Sequence, residues 1–231
     1  MAQYVFLLAL ILFVGYLVIR LALVYLKRPY FENYWQAQLA AEMQPNAIRL
    51  IVFGDSISRG VGAGSPKNSL VGRSMRYIAE QTGRPVHVAN YSRSGATANE
   101  VIDVQIPKAD LQAADIIMLE IGANDTRKRT PEQYRSDLRR IIDALPLEKV
   151  VIADIPGLGN RNAYQATIDE LLEGEEVARA DFGRVFEDLR SALGITAGDF
   201  FHPNARGYNL WFQAFRPGID EVLAKNNLRR N

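Results

Sequence analysis

The sequence predicts an α/β fold. It is a three-layer α/β/α arrangement around a flavodoxin-like, doubly wound sheet of about five parallel strands, preceded by one transmembrane helix. Three observations predict it. From Ala47 onward, short apolar and partly β-branched runs alternate with amphipathic helical patterns. Such alternation implies right-handed crossovers and a parallel sheet covered on both faces. Polar, mostly glycine-bearing punctuations follow several of the runs, where open sheets of this kind build their sites. By contrast, Arg20 is the only charged side chain among residues 1–26.

The 231 residues, 48% hydrophobic and 23% charged, suit one domain of about 200 residues plus an appendage. The expected division is a membrane anchor at 1–28, a juxtamembrane helix or linker at 29–46 and a globular domain at 47–231. With no cysteine there are no disulfides, thiolate metal sites or cysteine nucleophile. Two histidines, His87 and His202, argue against a multi-histidine metal site. The 27 basic residues balance 26 acidic ones with no basic stripe, which argues against nucleic acid as a partner. Arg127-Lys128-Arg129 is read as a short charge run in a solvated loop.

The appendage is Tyr4 to Leu26. At ~1.5 Å per residue it spans about 34 Å, enough for a bilayer hydrocarbon core. Arg20 lies near one end, where its side chain can snorkel. Tyr25, Lys27, Arg28 and Tyr30 make an interfacial anchor. A signal peptide fits poorly, since there is no basic n-region and no A-x-A site. A buried core helix is the other reading, and the length argues against it. Basic residues cluster after the helix, so the positive-inside rule places the following domain in the cytoplasm.

Further elements follow in order. Arg49–Phe53 is the first strand. Leu70–Gln81 is a helix with Gly83 at its C-terminal cap. Val86–Tyr91 is the second strand, with His87 as a structural member of its alternation. Thr97 and Glu100 have capping-box spacing, and the helix they open stops before Pro107. Asp115–Ile121 is the third strand. Thr130, Pro131 and Gln133 start a helix with Tyr134, Leu138, Ile141, Ile142 and Leu145 on one stripe. Lys149–Ile155 is the fourth strand. Tyr164, Ile168, Leu171 and Leu172 mark another helix, and Phe182–Phe186 a weak fifth strand. The last helix starts near Asn204 and is expected to break at Pro217-Gly218. Trp211, Phe212 and Phe215 are read as core by helical spacing.

Four polar blocks carry the chemistry: Gly54-Asp55-Ser56, Asn90 to Gly95, Gly122-Ala123-Asn124-Asp125, and Asp199 to Asn204. The carboxyl ends of parallel strands share one sheet edge, so blocks distant in sequence can converge there. A serine just past an inner strand can be a nucleophile if a base takes its proton. Asp55, Asp125 and Asp154 are expected to cap or support loops.

On these blocks the chain resembles the SGNH hydrolase family, also called GDSL-type esterases and lipases. Ser56 stands in a G-D-S block, Gly95 closes N-x-S-x-S-G, Asn124 stands in G-x-N-D, and His202 lies in D-x-x-H-P. The resemblance covers Arg49 to the C-terminus. It implies a catalytic triad of Ser56, Asp199 and His202, and an oxyanion hole of the Ser56 and Gly95 N–H groups with the Asn124 amide. It implies carboxylic ester hydrolysis through an acyl-enzyme, with no metal or organic cofactor. The chemistry agrees: imidazole titrates near neutrality, a carboxylate can fix its tautomer, and the developing oxyanion needs donors. Tethering beside a bilayer favours a lysophospholipid or other lipid or short-chain ester as substrate. The alternatives are a deacetylase of O-acetylated polysaccharide and a catalytically silent membrane-tethered binding module. Gly60-Val61-Gly62-Ala63-Gly64-Ser65 resembles a dinucleotide fingerprint but carries serine where the third glycine belongs, and no P-loop follows.

Overall fold

The structure, a computed structural model, describes residues 2–155, 161–182 and 194–230. Five parallel strands form one sheet in the order β2-β1-β3-β4-β5. They are β1 (Ile48–Gly54), β2 (Val86–Asn90), β3 (Ile116–Glu120), β4 (Val150–Ala153) and β5 (Ala178–Ala180). Helix α1 (Ala2–Leu26) runs into α2 (Arg28–Ala40). The other principal helices are α3 (Ser56–Arg59), α4 (Leu70–Thr82), α5 (Ala98–Glu100, continued as a π turn to Gln105), α6 (Asp125–Lys128), α7 (Pro131–Ala144), α8 (Arg161–Leu171) and α9 (Ala205–Lys225).

Two cores lie on opposite faces of the sheet, and the period-two alternation of β1 divides between them. Ile48, Leu50 and Val52 face the layer of α2, α4 and α9. Ile51 and Phe53 face the layer of α5, α7 and α8. Local signals set the helix starts. Thr97 with Glu100 and Thr130 with Gln133 both form capping boxes, and Ser69 accepts from the Gly72 N–H at the start of α4. Trp211 and Phe215 are buried in the first core and Phe212 packs against it, so the aromatic cluster is core.

Two elements differ from expectation. The fifth strand is Ala178–Ala180 rather than Phe182–Phe186. Residues 183–186 lie outside the described residues, and Phe182 packs edge-on against Trp211 as a core side chain. Helix α9 runs unbroken through Pro217. Proline removes the hydrogen bond to the carbonyl four residues earlier, here Gln213. Both residues are exposed, so water can take that carbonyl. Gly218 follows because a Cβ there would lie 2.6 Å from Val151 Cγ1.

Helix α1 is long and apolar enough to cross a membrane by length and composition. Most of its described side chains are exposed. Residues 28–40 form a helix packed on the sheet. Phe31 and Trp35 are each only 1% exposed and belong to the first core. The Trp35 indole N–H donates to the Arg59 carbonyl at 2.8 Å, directly behind α3. Truncating a fully buried Trp in such a site costs about 3–5 kcal/mol. Trp35→Ala should therefore lower the thermal midpoint of the full chain by many degrees; an unchanged midpoint would place α2 outside the core.

Candidate active site

The site is built where β1 and β3 end. Their last residues, Gly54 and Glu120, are paired across the sheet. Gly54 has φ +150, and a Cβ on it would lie 2.2 Å from the Glu120 carbonyl oxygen. Only glycine permits that approach. Gln105 then clamps the same residue: its amide oxygen accepts from the Gly54 N–H at 3.0 Å and its amide nitrogen donates to the Gly54 carbonyl at 2.9 Å. The chain turns sharply into α3, with Asp55 as N-cap accepting from the Ile57 N–H. Ser56 is the first residue of α3.

His202 arrives from the other end of the chain. Its Nε2 lies 2.9 Å from Ser56 Oγ, and its Nδ1 lies 2.5 Å from Asp199 Oδ2. The other carboxylate oxygen of Asp199 accepts from the backbone N–H groups of Phe201 and His202. Asn204 seals the loop by capping α9 and donating to the Gly194 and Thr196 carbonyls. The loop closes on the turn that follows α3 because Gly62 has no side chain. A Cβ there would lie 2.5 Å from the Pro203 carbonyl oxygen. Tyr208 OH donates to the Val61 carbonyl at 2.8 Å, tying α9 to the same turn.

The oxyanion candidates flank Ser56. Among the described residues, the Ser56 and Gly95 N–H groups have no acceptor. Gly95 is held from behind, since Lys128 Nζ donates to its carbonyl at 2.6 Å. The Asn124 amide reaches the same edge, but both its hydrogens are engaged: it donates to Asp55 Oδ2 at 2.8 Å and to the Ala96 carbonyl at 3.0 Å. Asn90 supports the turn, donating to the Ser58 carbonyl and accepting from the Ser92 N–H. Asp125 accepts from the Ala98 N–H and anchors α5, and Asp154 pairs with Arg179. His87 is a half-buried member of β2.

Some supporting residues were not singled out from sequence. Gln105 and Glu120 sit inside patterns that read as ordinary helix and strand. The charge run at 127–129 ends the short helix α6 rather than lying in a loop, and Arg127 and Lys128 are exposed as expected yet make tertiary contacts. Arg127 lies over the Phe201 ring, Lys128 holds Gly95, and Arg129 pairs with Asp137 at 2.7 Å. Sequence alone shows the charge of such residues and not these contacts.

Burial sets the electrostatics. Asp55 is pushed up to about 6, chiefly because it is buried, against the pull of its hydrogen bonds and of the Lys128 charge. Glu120 is raised well above its usual range by burial and then by the adjacent Asp55 charge. Two carboxyls so close cannot both ionise easily. Burial alone would raise Asp199, but hydrogen bonds from the His202 ring and two backbone N–H groups hold it below the usual range. Burial lowers His202, and the Asp199 contact only partly restores it. A neutral imidazole aimed at a serine hydroxyl, with its other nitrogen on a carboxylate, can accept the hydroxyl proton.

Residues 52–210 match the model of the GDSL-like Lipase/Acylhydrolase family. No curated protein matches the chain. Among solved structures, TesA superposes with a TM-score of 0.64 at 23% identity, covering 76% of this chain and 99% of its own. A lipase/acylhydrolase from Enterococcus faecalis gives 0.61 at 19%, covering 79% and 97%. Axe2, an acetylxylan esterase from Geobacillus stearothermophilus, gives 0.59 at 19%, covering 77% and 96%. At these identities the likeness is one of fold.

The direction of the His202 shift has a direct readout. The chain has two histidines, so His87→Gln leaves one imidazole to follow by NMR. Its midpoint should fall below the ordinary 6.5, so that His202 is mostly neutral at pH 7. A midpoint of about 7 or higher would mean that the Asp199 contact outweighs burial.

Proposed function

Because the chain belongs to the GDSL-like lipase/acylhydrolase family, a family of carboxylic ester hydrolases, we propose that Ser56 is the nucleophile of a serine ester hydrolase working through an acyl-enzyme. The observation that carries this reading is the continuous hydrogen-bonded chain from Ser56 Oγ through both nitrogens of His202 to Asp199. In acylation, Ser56 Oγ bonds to the ester carbonyl carbon and its proton passes to His202 Nε2. Asp199 holds Nδ1–H and stabilises the imidazolium. The oxyanion takes the Ser56 and Gly95 N–H groups, and Asn124 turns one amide hydrogen from the Ala96 carbonyl toward it. Collapse breaks the carbonyl–alkoxy bond, and His202 returns the proton to the departing alcohol. Water, deprotonated by His202, then releases the acid. Neither metal nor organic cofactor has a part in these steps.

In this proposal α1 anchors the enzyme to a membrane as a single span, and residues 29–46, whose Phe31 and Trp35 pack in the first core, join the anchor to the strands and helices of the catalytic domain from 47 onward. The basic residues after α1 favour a cytoplasmic domain by the positive-inside rule. The substrates are carboxylic esters, a lysophospholipid or other lipid or short-chain acyl ester. The likeness to an acetylxylan esterase supports a second reading, an O-acetyl polysaccharide deacetylase.

Ser56→Ala should abolish hydrolysis of a p-nitrophenyl ester while the unfolding curve stays near wild type. Undiminished turnover would exclude Ser56 as nucleophile, and inactivity of the wild-type chain on every ester tried would favour the silent module. Asn124→Ala should lower kcat by about 10²–10³-fold with KM nearly unchanged, because an oxyanion donor acts mainly in the transition state. A kcat within about threefold of wild type would remove Asn124 from the oxyanion hole.

A further inference from the structure

The loop that carries Asp199 and His202 is seated on the C-terminal turns of α1. A Cβ on Gly198 would lie 2.3 Å from the Arg20 carbonyl oxygen, so the α1 backbone passes directly over the loop. Val24 packs with Val61 and Ala197 in a small apolar cluster of its own. Lys27 Nζ donates to the Gly64 carbonyl at 3.4 Å. These contacts lie at Arg20 and beyond, whereas Tyr4, Leu8, Leu12 and Ile19 all stand exposed.

Two aromatic rings project from this loop. Phe200 is 62% exposed and Phe201 46%, although the side chains of Asp199 and His202 on either side are buried. Phe200 has φ +55, a conformation disfavoured for a bulky residue. Asparagine or glycine would suit that backbone better, so the sequence keeps an exposed ring at a strained position. Cations flank both rings. The Arg20 guanidinium lies 5.3 Å from the Phe200 centroid and 5.5 Å from that of Tyr16, and the Arg127 guanidinium lies 4.7 Å from that of Phe201. Exposed phenylalanine rings beside arginine match the composition of elements that lie in a bilayer interface, apolar aromatics next to basic side chains.

Charge fixes the depth. Arg20 is the one charged side chain of α1, and a charged side chain on a spanning helix reaches the headgroup boundary by snorkelling. If α1 spans the membrane, Arg20 lies at the boundary between acyl chains and headgroups. Phe200, stacked on Arg20, then lies at the same level.

We propose that Phe200 and Phe201 form a second membrane contact that seats the catalytic loop on the phospholipid interface beside α1. The enzyme then draws its substrate from the bilayer: an amphiphile whose ester carbonyl sits at the headgroup boundary, level with Ser56. The proposal rests on the reading of α1 as a membrane span and adds a catalytic mouth that touches the lipid.

The chain lacks cysteine, so single labels are unambiguous. Full-length Phe200→Cys, Leu12→Cys and Glu176→Cys would each be labelled with an environment-sensitive fluorophore and reconstituted in phosphatidylcholine vesicles carrying nitroxide lipids. Leu12 is midway along α1, and Glu176 lies just before β5, at the sheet edge opposite the site. The expected result is shallow quenching at 200, deep quenching at 12 and none at 176. Quenching at 12 without quenching at 200 overturns the second contact and leaves the anchor intact. No quenching at 12 removes the anchor itself, and the proposal with it. A label at 200 that is shielded from water yet unquenched points to a protein or a second copy on the loop and overturns the lipid contact. For the substrate class, Phe200→Asn suits the left-handed backbone and removes the ring. It should turn over water-soluble p-nitrophenyl acetate as wild type does, but lose about tenfold or more on a fluorogenic long-chain ester dissolved in the bilayer. Equal loss on both esters, no loss on either, or a wild-type chain that cleaves only the soluble ester would each overturn it.

Discussion

The 2.9 Å contact between His202 Nε2 and Ser56 Oγ joins residues 146 positions apart. The rest of the fold serves to hold it. One side is fixed by β1, an inner strand between β2 and β3 that ends just before Asp55 and Ser56. The other is fixed by α9, which begins at the Asn204 cap two residues after the histidine. Between them Gly62 lets the two loops touch, and Tyr208 ties the helix to Val61. Each of these is a short-range constraint. Together they fix a contact that neither segment could hold alone, which is how a positioned base and nucleophile avoid much of the entropic cost of meeting.

Beneath that contact lies a buried acidic pair. Asp55 and Glu120 are nearly inaccessible, and both are held above their usual range by burial. Asp55 is bonded to three parts of the site at once. It caps α3, accepts from Asn124 and sits against Glu120, which in turn accepts from Ser58 Oγ at 3.2 Å. Orientation of the Asn124 amide is thus coupled to the protonation of two carboxyls. A buried polar network of this kind is favourable only when its members are satisfied, because the low dielectric that strengthens its bonds also penalises any orphan.

Much of this was legible in the sequence, and the misses have physical causes. Strands β1 to β4 announce themselves as apolar runs, and the capping boxes at Thr97 and Thr130 mark helix starts because they satisfy the same orphan N–H groups in any context. The four polar blocks could be picked out because each follows a strand or precedes the last helix, and within them the resemblance to the SGNH family singles out Ser56, Gly95, Asn124, Asp199 and His202. Strand β5 was misplaced because Ala178–Ala180 has neither β-branched nor aromatic residues, while the aromatics after it belong to the core. The break expected at Pro217 does not occur because the lost bond faces solvent, which a linear pattern does not reveal. Gln105, Glu120 and Lys128 act through partners from 33 to 62 positions away. Nothing local marks them.

Helix α2 connects these layers. Its Trp35 and Phe31 pack behind the turn that carries Ser56, so the segment next to α1 is also the backing of α3. The account stands or falls on Ser56. The most direct test is to treat the full chain with a fluorophosphonate, digest it and locate the adduct by mass spectrometry. The account predicts one adduct, on Ser56, formed in step with loss of ester hydrolysis. Complete inhibition with the adduct on another residue, or sustained hydrolysis by a chain fully modified at Ser56, would contradict it.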